Sequence, residues 1–127
     1  MPDREAIKTD AAPAALGPYS QAIKSGELIF LSGQIPLDPE TMELVEGGIE
    51  EQTRQVFKNL RSVAEAAGSG LQNAVKLTIY LIDLSDFAMV NSIMAENFNE
   101  PYPARATIQV SALPKHSIVE IDAIITG

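Results

Sequence analysis

Cysteine is absent from the 127 residues. Disulfides, thiolate nucleophiles and cysteine-held metals are thereby excluded, while the compartment is left open. A single histidine, His116, rules out a multi-histidine metal centre within one chain. Basic residues are scarce: nine Lys and Arg stand against seventeen Asp and Glu, for a net charge of −8. That balance opposes nonspecific attraction to nucleic acid or to an anionic membrane. No basic cluster interleaved with aromatics counters it. No apolar run approaches the roughly 18 residues that a bilayer span needs. The N-terminus shows no basic stretch followed by an apolar core, so no secretory signal is expected.

What is present describes one globular domain over 1–127, because 46% of the residues are hydrophobic and the length suits a single core. Glu5-Ala6-Ile7-Lys8 fits a short edge strand. Gly17-Pro18 marks a turn, and Tyr19 to Lys24 a second short strand. Leu28-Ile29-Phe30-Leu31 reads as a buried strand running into Ser32-Gly33-Gln34, where glycine permits close backbone approach. Apolar residues from Ile49 to Ala67, including Val56, Phe57, Leu60, Val63 and Ala64, follow a 3.6-residue period and predict a long helix ended by Gly68 and Gly70. Val75, Leu77, Ile79 and Leu81 alternate with other residues as in a strand. Asp83 or Ser85 can cap a second helix, with Phe87, Val90, Asn91, Met94 and Phe98 near helical spacing.

Two more strands close the chain, within 103–110 and 117–125. Side chains alternate between the faces of a strand. Arg105, Thr107 and Gln109 therefore share one face of the first, while the second presents Val119, Ile121, Ala123 and Ile125 on one side and Ile118, Glu120, Asp122 and Ile124 on the other. If the two pair through the short break between them, one face is apolar and the other carries Arg105 and Glu120, a cation and an acid suited to a small-molecule site. The order of elements predicts an α+β fold: about six strands with two helices on one face. The other face mixes apolar and polar groups and is expected to be covered by a second subunit, so a homo-oligomer is predicted.

Five stretches then coincide, in order and at fitting spacing: Ala12-Pro13-Ala14-Ala15-Leu16-Gly17-Pro18-Tyr19-Ser20-Gln21, Leu31-Ser32-Gly33-Gln34-Ile35-Pro36, Asp83-Leu84-Ser85-Asp86-Phe87 with Val90-Asn91, Pro103-Ala104-Arg105, and Val119-Glu120-Ile121-Asp122-Ala123. Together they resemble the RidA family of reactive-intermediate deaminases, also called YjgF-like or endoribonuclease L-PSP proteins. The resemblance implies a chorismate-mutase-like fold and a cytoplasmic homotrimer with sites between subunits. It implies hydrolysis of 2-imino acids and their enamine tautomers, such as 2-aminoacrylate, to 2-keto acids and ammonia, with no metal or organic cofactor. By position it makes Arg105 the holder of the substrate carboxylate and Glu120 the acid that positions or activates water. Tyr19, Ser32 and Gly33 line the pocket. Thr107 stands where many members have cysteine.

Each of these residues also has a plainer reading. Arg105 presents two parallel N–H donors that match a carboxylate, but it can equally form a structural ion pair, for instance with Glu120. Glu120 can orient water and carry protons, or be a solvated strand-face charge; Asp122, two residues on, competes for the role. Tyr19 can contact the imine or be a half-buried aromatic beside a turn. Ser32 can offer a hydrogen bond, and with no histidine placed beside it a serine nucleophile has little support. His116 reads as an exposed loop residue, Asn91 as a polar helix position at an interface, and Phe87, Met94 and Phe98 as packing. A trimeric protein that binds 2-keto acids without turnover is the alternative function. Ribonuclease activity ranks third, against the acidic charge.

Overall fold

The computed structural model describes residues 3–127. Six strands form one sheet: β1 (Glu5–Ile7), β2 (Ala22–Ser25), β3 (Leu28–Gln34), β4 (Ala74–Leu81), β5 (Ala104–Gln109) and β6 (Val119–Thr126), in the spatial order β1-β2-β3-β6-β4-β5. All neighbours are antiparallel except β4 and β5, which run parallel. Parallel neighbours need a crossover, and helix α2 (Phe87–Asn97) supplies it. Helix α1 (Ile49–Ala66) precedes β4. The α+β expectation, about six strands with two helices, is what the structure shows.

The ends of α1 follow from its sequence. The Glu51 carboxylate accepts the Gly48 N–H at 2.9 Å, satisfying a donor at the helix start. At the other end Gly68 adopts φ +81°. Its N–H donates to the Glu65 carbonyl (3.0 Å), and the Ser69 N–H donates to the Ala64 carbonyl (3.1 Å). These are the two bonds of a Schellman stop, which favours glycine because it requires a left-handed residue.

One core lies between helices and sheet. Val56, Phe57, Leu60 and Val63 of α1 and Val90, Ile93 and Met94 of α2 pack on Ile29, Leu31, Leu77, Ile79, Leu81, Val119, Ile121 and Ile125. Phe57 meets Phe98 edge to face, with ring centroids 6.0 Å apart. Among the described residues no element covers the opposite sheet face. Phe30 and Ile108 on it are 43% and 44% exposed.

One expectation is overturned. The strands containing Arg105 and Glu120 do not pair, because β4 lies between them. Arg105 sits opposite Leu77, whereas Glu120 sits opposite Tyr80, three residues along β4. Directly paired residues share a face and successive residues alternate. Arg105 therefore lies on the helix side and Glu120 on the open side. The short connection suggested a hairpin, but it contains a 3₁₀ turn (Pro114–His116) and leads past β4.

Phe57→Ala should cost about 3–5 kcal/mol, the usual range for deleting a buried aromatic. A lowered urea midpoint with folded secondary structure retained in water is the expected outcome.

Candidate functional site

The chemistry-bearing residues fall into two groups on opposite sides of the sheet. The first surrounds Arg105. Its Nη1 donates to Asn91 Oδ1 at 2.5 Å and lies 3.6 Å from Met94 Sδ. Its guanidinium carbon stands 4.9 Å from the centroid of the Phe87 ring, a cation–π contact. Phe87, Asn91 and Met94 are spaced at i, i+4 and i+7, so one face of α2 forms the cradle. Phe87 and Met94, expected only to pack, also hold the cation. No carboxylate pairs with Arg105 among the described residues, where the ion pairs are those of Arg54 with Glu50 and Glu96. An Arg105–Glu120 salt bridge within one chain does not form. Arg105 opens on a cleft of about 400 Å³ bordered by Asn91, Met94, Ala95, Tyr102 and Pro103. Thr107, on the same strand face, has a buried hydroxyl with no hydrogen-bond partner.

The second group surrounds Glu120. Tyr19, Gly33 and Glu120 border one cavity of about 390 Å³, with Leu37, Met42 and Lys115 also on its wall. Gly33 is needed here: a Cβ at that position would overlap the Glu120 carboxylate. Burial raises the Glu120 carboxyl above the ordinary carboxylate range, and the nearby Asp122 charge pushes it the same way. Asp122 itself accepts the Tyr80 hydroxyl at 2.9 Å, a bond that raises the phenol. Asp122 is thus engaged on the sheet face, whereas Glu120 faces the cavity. Tyr19 is 55% exposed. Ser32 donates its hydroxyl to the Ser20 carbonyl at 2.5 Å, and its N–H donates to the Gln21 carbonyl at 3.0 Å. It ties β3 to the segment that carries Tyr19.

Three buried amides complete this group, and the apolar periodicity did not single them out. Gln21 Nε2 donates to the carbonyls of Thr9, Ala12 and Pro13, and Oε1 accepts the Thr9 N–H. Asn59 Nδ2 donates to the Leu37 carbonyl at 2.9 Å, and Gln52 Oε1 accepts the Ile118 N–H at 3.1 Å. They fix the segments that border the cavity. The available signal was polar residues on a buried stripe: Gln52 and Asn59 are seven apart, on the face that carries Val56 and Val63.

The architecture and the separated cation and acid define a small α+β domain with one cluster of polar side chains on each side of its sheet. An Endoribonuclease L-PSP family model matches residues 9–126. The RutC family protein PH0854 of Pyrococcus horikoshii is 51% identical over 121 residues, covering 95% of this chain and 96% of that one. The 2-iminobutanoate/2-iminopropanoate deaminase of Mus musculus is 49% identical, covering 95% of this chain and 90% of that one. The crystal structure of RidA from the Antarctic bacterium Psychrobacter sp. PAMC 21119 superposes with a TM-score of 0.93 at 52% identity, covering 97% and 99% of the two chains. This chain belongs to the RidA/YjgF (endoribonuclease L-PSP) family, and its fold is the chorismate-mutase-like fold of that family.

The raised Glu120 carboxyl makes a signed prediction. A carboxyl whose folded pKa lies above its unfolded value contributes stability below the unfolded value, about 4.3 for Glu. That contribution is lost as pH rises through the folded value. Glu120→Gln should therefore gain stability relative to the parent as pH rises from 3 to 7. Urea midpoints of the two proteins across that range check this, and a pH-independent difference would contradict it.

Proposed function

We propose that the protein is a homotrimeric deaminase that hydrolyses 2-imino acids and their enamine tautomers to 2-keto acids and ammonia, with each site shared by two subunits. The observation that carries this reading is the state of Arg105: held by three residues of α2, open to a cleft, and without an acidic partner among the described residues. A guanidinium so placed suits the carboxylate of a small acid. Membership of a family that includes the mouse deaminase supports the reaction class.

The same geometry supports a site shared between subunits. Arg105 and Glu120 lie on opposite faces, so one chain does not present both to one small substrate. In the proposed assembly a neighbouring subunit covers the open face, with its exposed Phe30 and Ile108, and presents Arg105 from its edge strand β5 to the cavity bordered by Glu120, Tyr19 and Gly33.

In the proposed reaction Arg105 fixes the substrate carboxylate, and the protonated imine carbon lies toward Glu120. Water adds to that carbon while Glu120 takes its proton. The C=N π pair moves to nitrogen. Glu120 returns that proton to the nitrogen of the resulting carbinolamine, the C–N bond breaks with its electron pair leaving on ammonia, and the hydroxyl gives its proton back to the Glu120 carboxylate as the carbonyl forms. A carboxyl that borders the cavity is suited to taking and returning a proton. Tyr19 closes the pocket, while Ser32, Gly33 and Thr107 line it. The steps change no oxidation state, so the proposal includes no cofactor. Positioning supplies much of the rate, up to about 7–11 kcal/mol at the favourable limit.

The test generates 2-iminopropanoate with an amino-acid oxidase and follows what remains by semicarbazide trapping. The parent should accelerate imine loss, and folded Arg105→Ala should not. Arg105→Lys should lose roughly 10- to 100-fold, because hydrogen bonds to charged groups contribute about 1.5–3 kcal/mol and lysine lacks the planar fork. No acceleration by the folded parent with short or bulky imines would overturn the reading in favour of 2-keto acid binding.

Subunit sharing has its own check. Sedimentation should give three times the 13.6 kDa chain mass. Arg105→Ala and Glu120→Ala chains, inactive alone, should regain about a quarter of parental activity when refolded as an equal mixture, since random assembly pairs intact halves at that frequency. No recovery would overturn the shared site.

A further inference from the structure

The turn Pro114-Lys115-His116 is left unused by the reaction above, yet its backbone is unusual. Lys115 and His116 take φ of 57° and 60°, two successive non-glycine residues in the left-handed region. Each such residue costs conformational energy and persists only where its surroundings impose it. The surroundings here are specific. Buried Ser117 donates both its N–H (3.1 Å) and its hydroxyl (2.9 Å) to the Pro114 carbonyl. The next N–H, of Ile118, is held by Gln52 of α1. The turn is thus closed on itself and moored to a helix.

Its result is the placement of Lys115 on the wall of the Glu120 cavity. Lys115 and Glu120 are the two charged side chains there, and Leu16, Leu37 and Met42 supply apolar wall. Lys115 forms no ion pair among the described residues. At about 390 Å³ the cavity falls within the range of small-molecule sites and has room beyond a three-carbon acid. In a chain of net charge −8 an anionic group approaches against the general field, so a local cation determines where it can settle.

We propose that Lys115 is a specificity residue that favours 2-imino acids bearing a second carboxylate on the side chain. The inference rests on the deaminase reading, in which Arg105 takes the carboxylate next to the imine. Lys115 then meets an anionic group farther along the substrate. A lysine suits this role because its compact charge sits on a flexible stem and can follow side chains of different length.

The experiment compares imines generated by amino-acid oxidases from aspartate, glutamate and alanine. Its readout is the ratio of kcat/KM for each dicarboxylic imine to that for 2-iminopropanoate. Lys115→Gln should lower the ratio about tenfold, the scale of one charge-assisted hydrogen bond, and Lys115→Arg should retain most of it. An unchanged ratio in folded, assembled Lys115→Gln would overturn the proposal, even if overall activity falls. If the parent hydrolyses no imine, the deaminase reading fails separately. Calorimetry with 2-ketoglutarate and pyruvate then decides the role of Lys115: selective loss of 2-ketoglutarate binding in Lys115→Gln supports it, and equal effects on both ligands overturn it.

Discussion

The pairing of β4 with β6 at the centre of the sheet governs this molecule. Leu77 with Ala123, Ile79 with Ile121 and Leu81 with Val119 project to one side and form the floor of the core. The intervening pairs, Thr78 with Asp122 and Tyr80 with Glu120, project to the other. Because the strand period is two, a slip of one residue would exchange the faces, burying two carboxylates under the helices and exposing the core. The register that protects the core thus also fixes where the acid stands. β5, added parallel to β4 through α2, carries Arg105 to the helix side by the same rule.

Most of the architecture could be read from residue periodicity. The stripe Val56, Phe57, Leu60, Val63 marked α1 almost to its ends, and alternation at 75–81 and 119–125 marked β4 and β6. β2 begins at Ala22, later than the expected Tyr19, and Gln21 just before it binds the backbone of residues 9–13 through its side-chain amide. The larger error was adjacency. Alternation specifies the face of a strand but not its neighbour, and a short connection favours a hairpin only where it turns back directly. Nothing within Ala104–Gln109 identifies a parallel edge strand, since its pattern has no apolar run. Asn91 was noticed, but its bond to Arg105 depends on the distance between α2 and β5, which spacing along the chain does not encode.

The surroundings of Arg105 and of Glu120 also differ in how they are held. Arg105 rests on side chains of one helix, with packing, a cation–π contact and one charged hydrogen bond acting together. The Glu120 cavity is bordered by irregular chain, and its shape is maintained by buried amides. Gln21, Gln52 and Asn59 are each buried, and each satisfies backbone groups that would otherwise be buried without partners. An irregular wall gains order comparable to a strand when side chains supply the hydrogen bonds that a ladder would have made.

The close approach of Gly33 to Glu120 makes the two positions a single heritable unit. Any side chain at 33 claims the volume that the carboxylate now fills. A lineage that enlarges position 33 must therefore shrink or turn the residue at 120, moving the acid from its present place on the cavity wall. Variation at 33 alone displaces the carboxylate from its present place, whereas paired variation of 33 and 120 could reach cavities of a different shape.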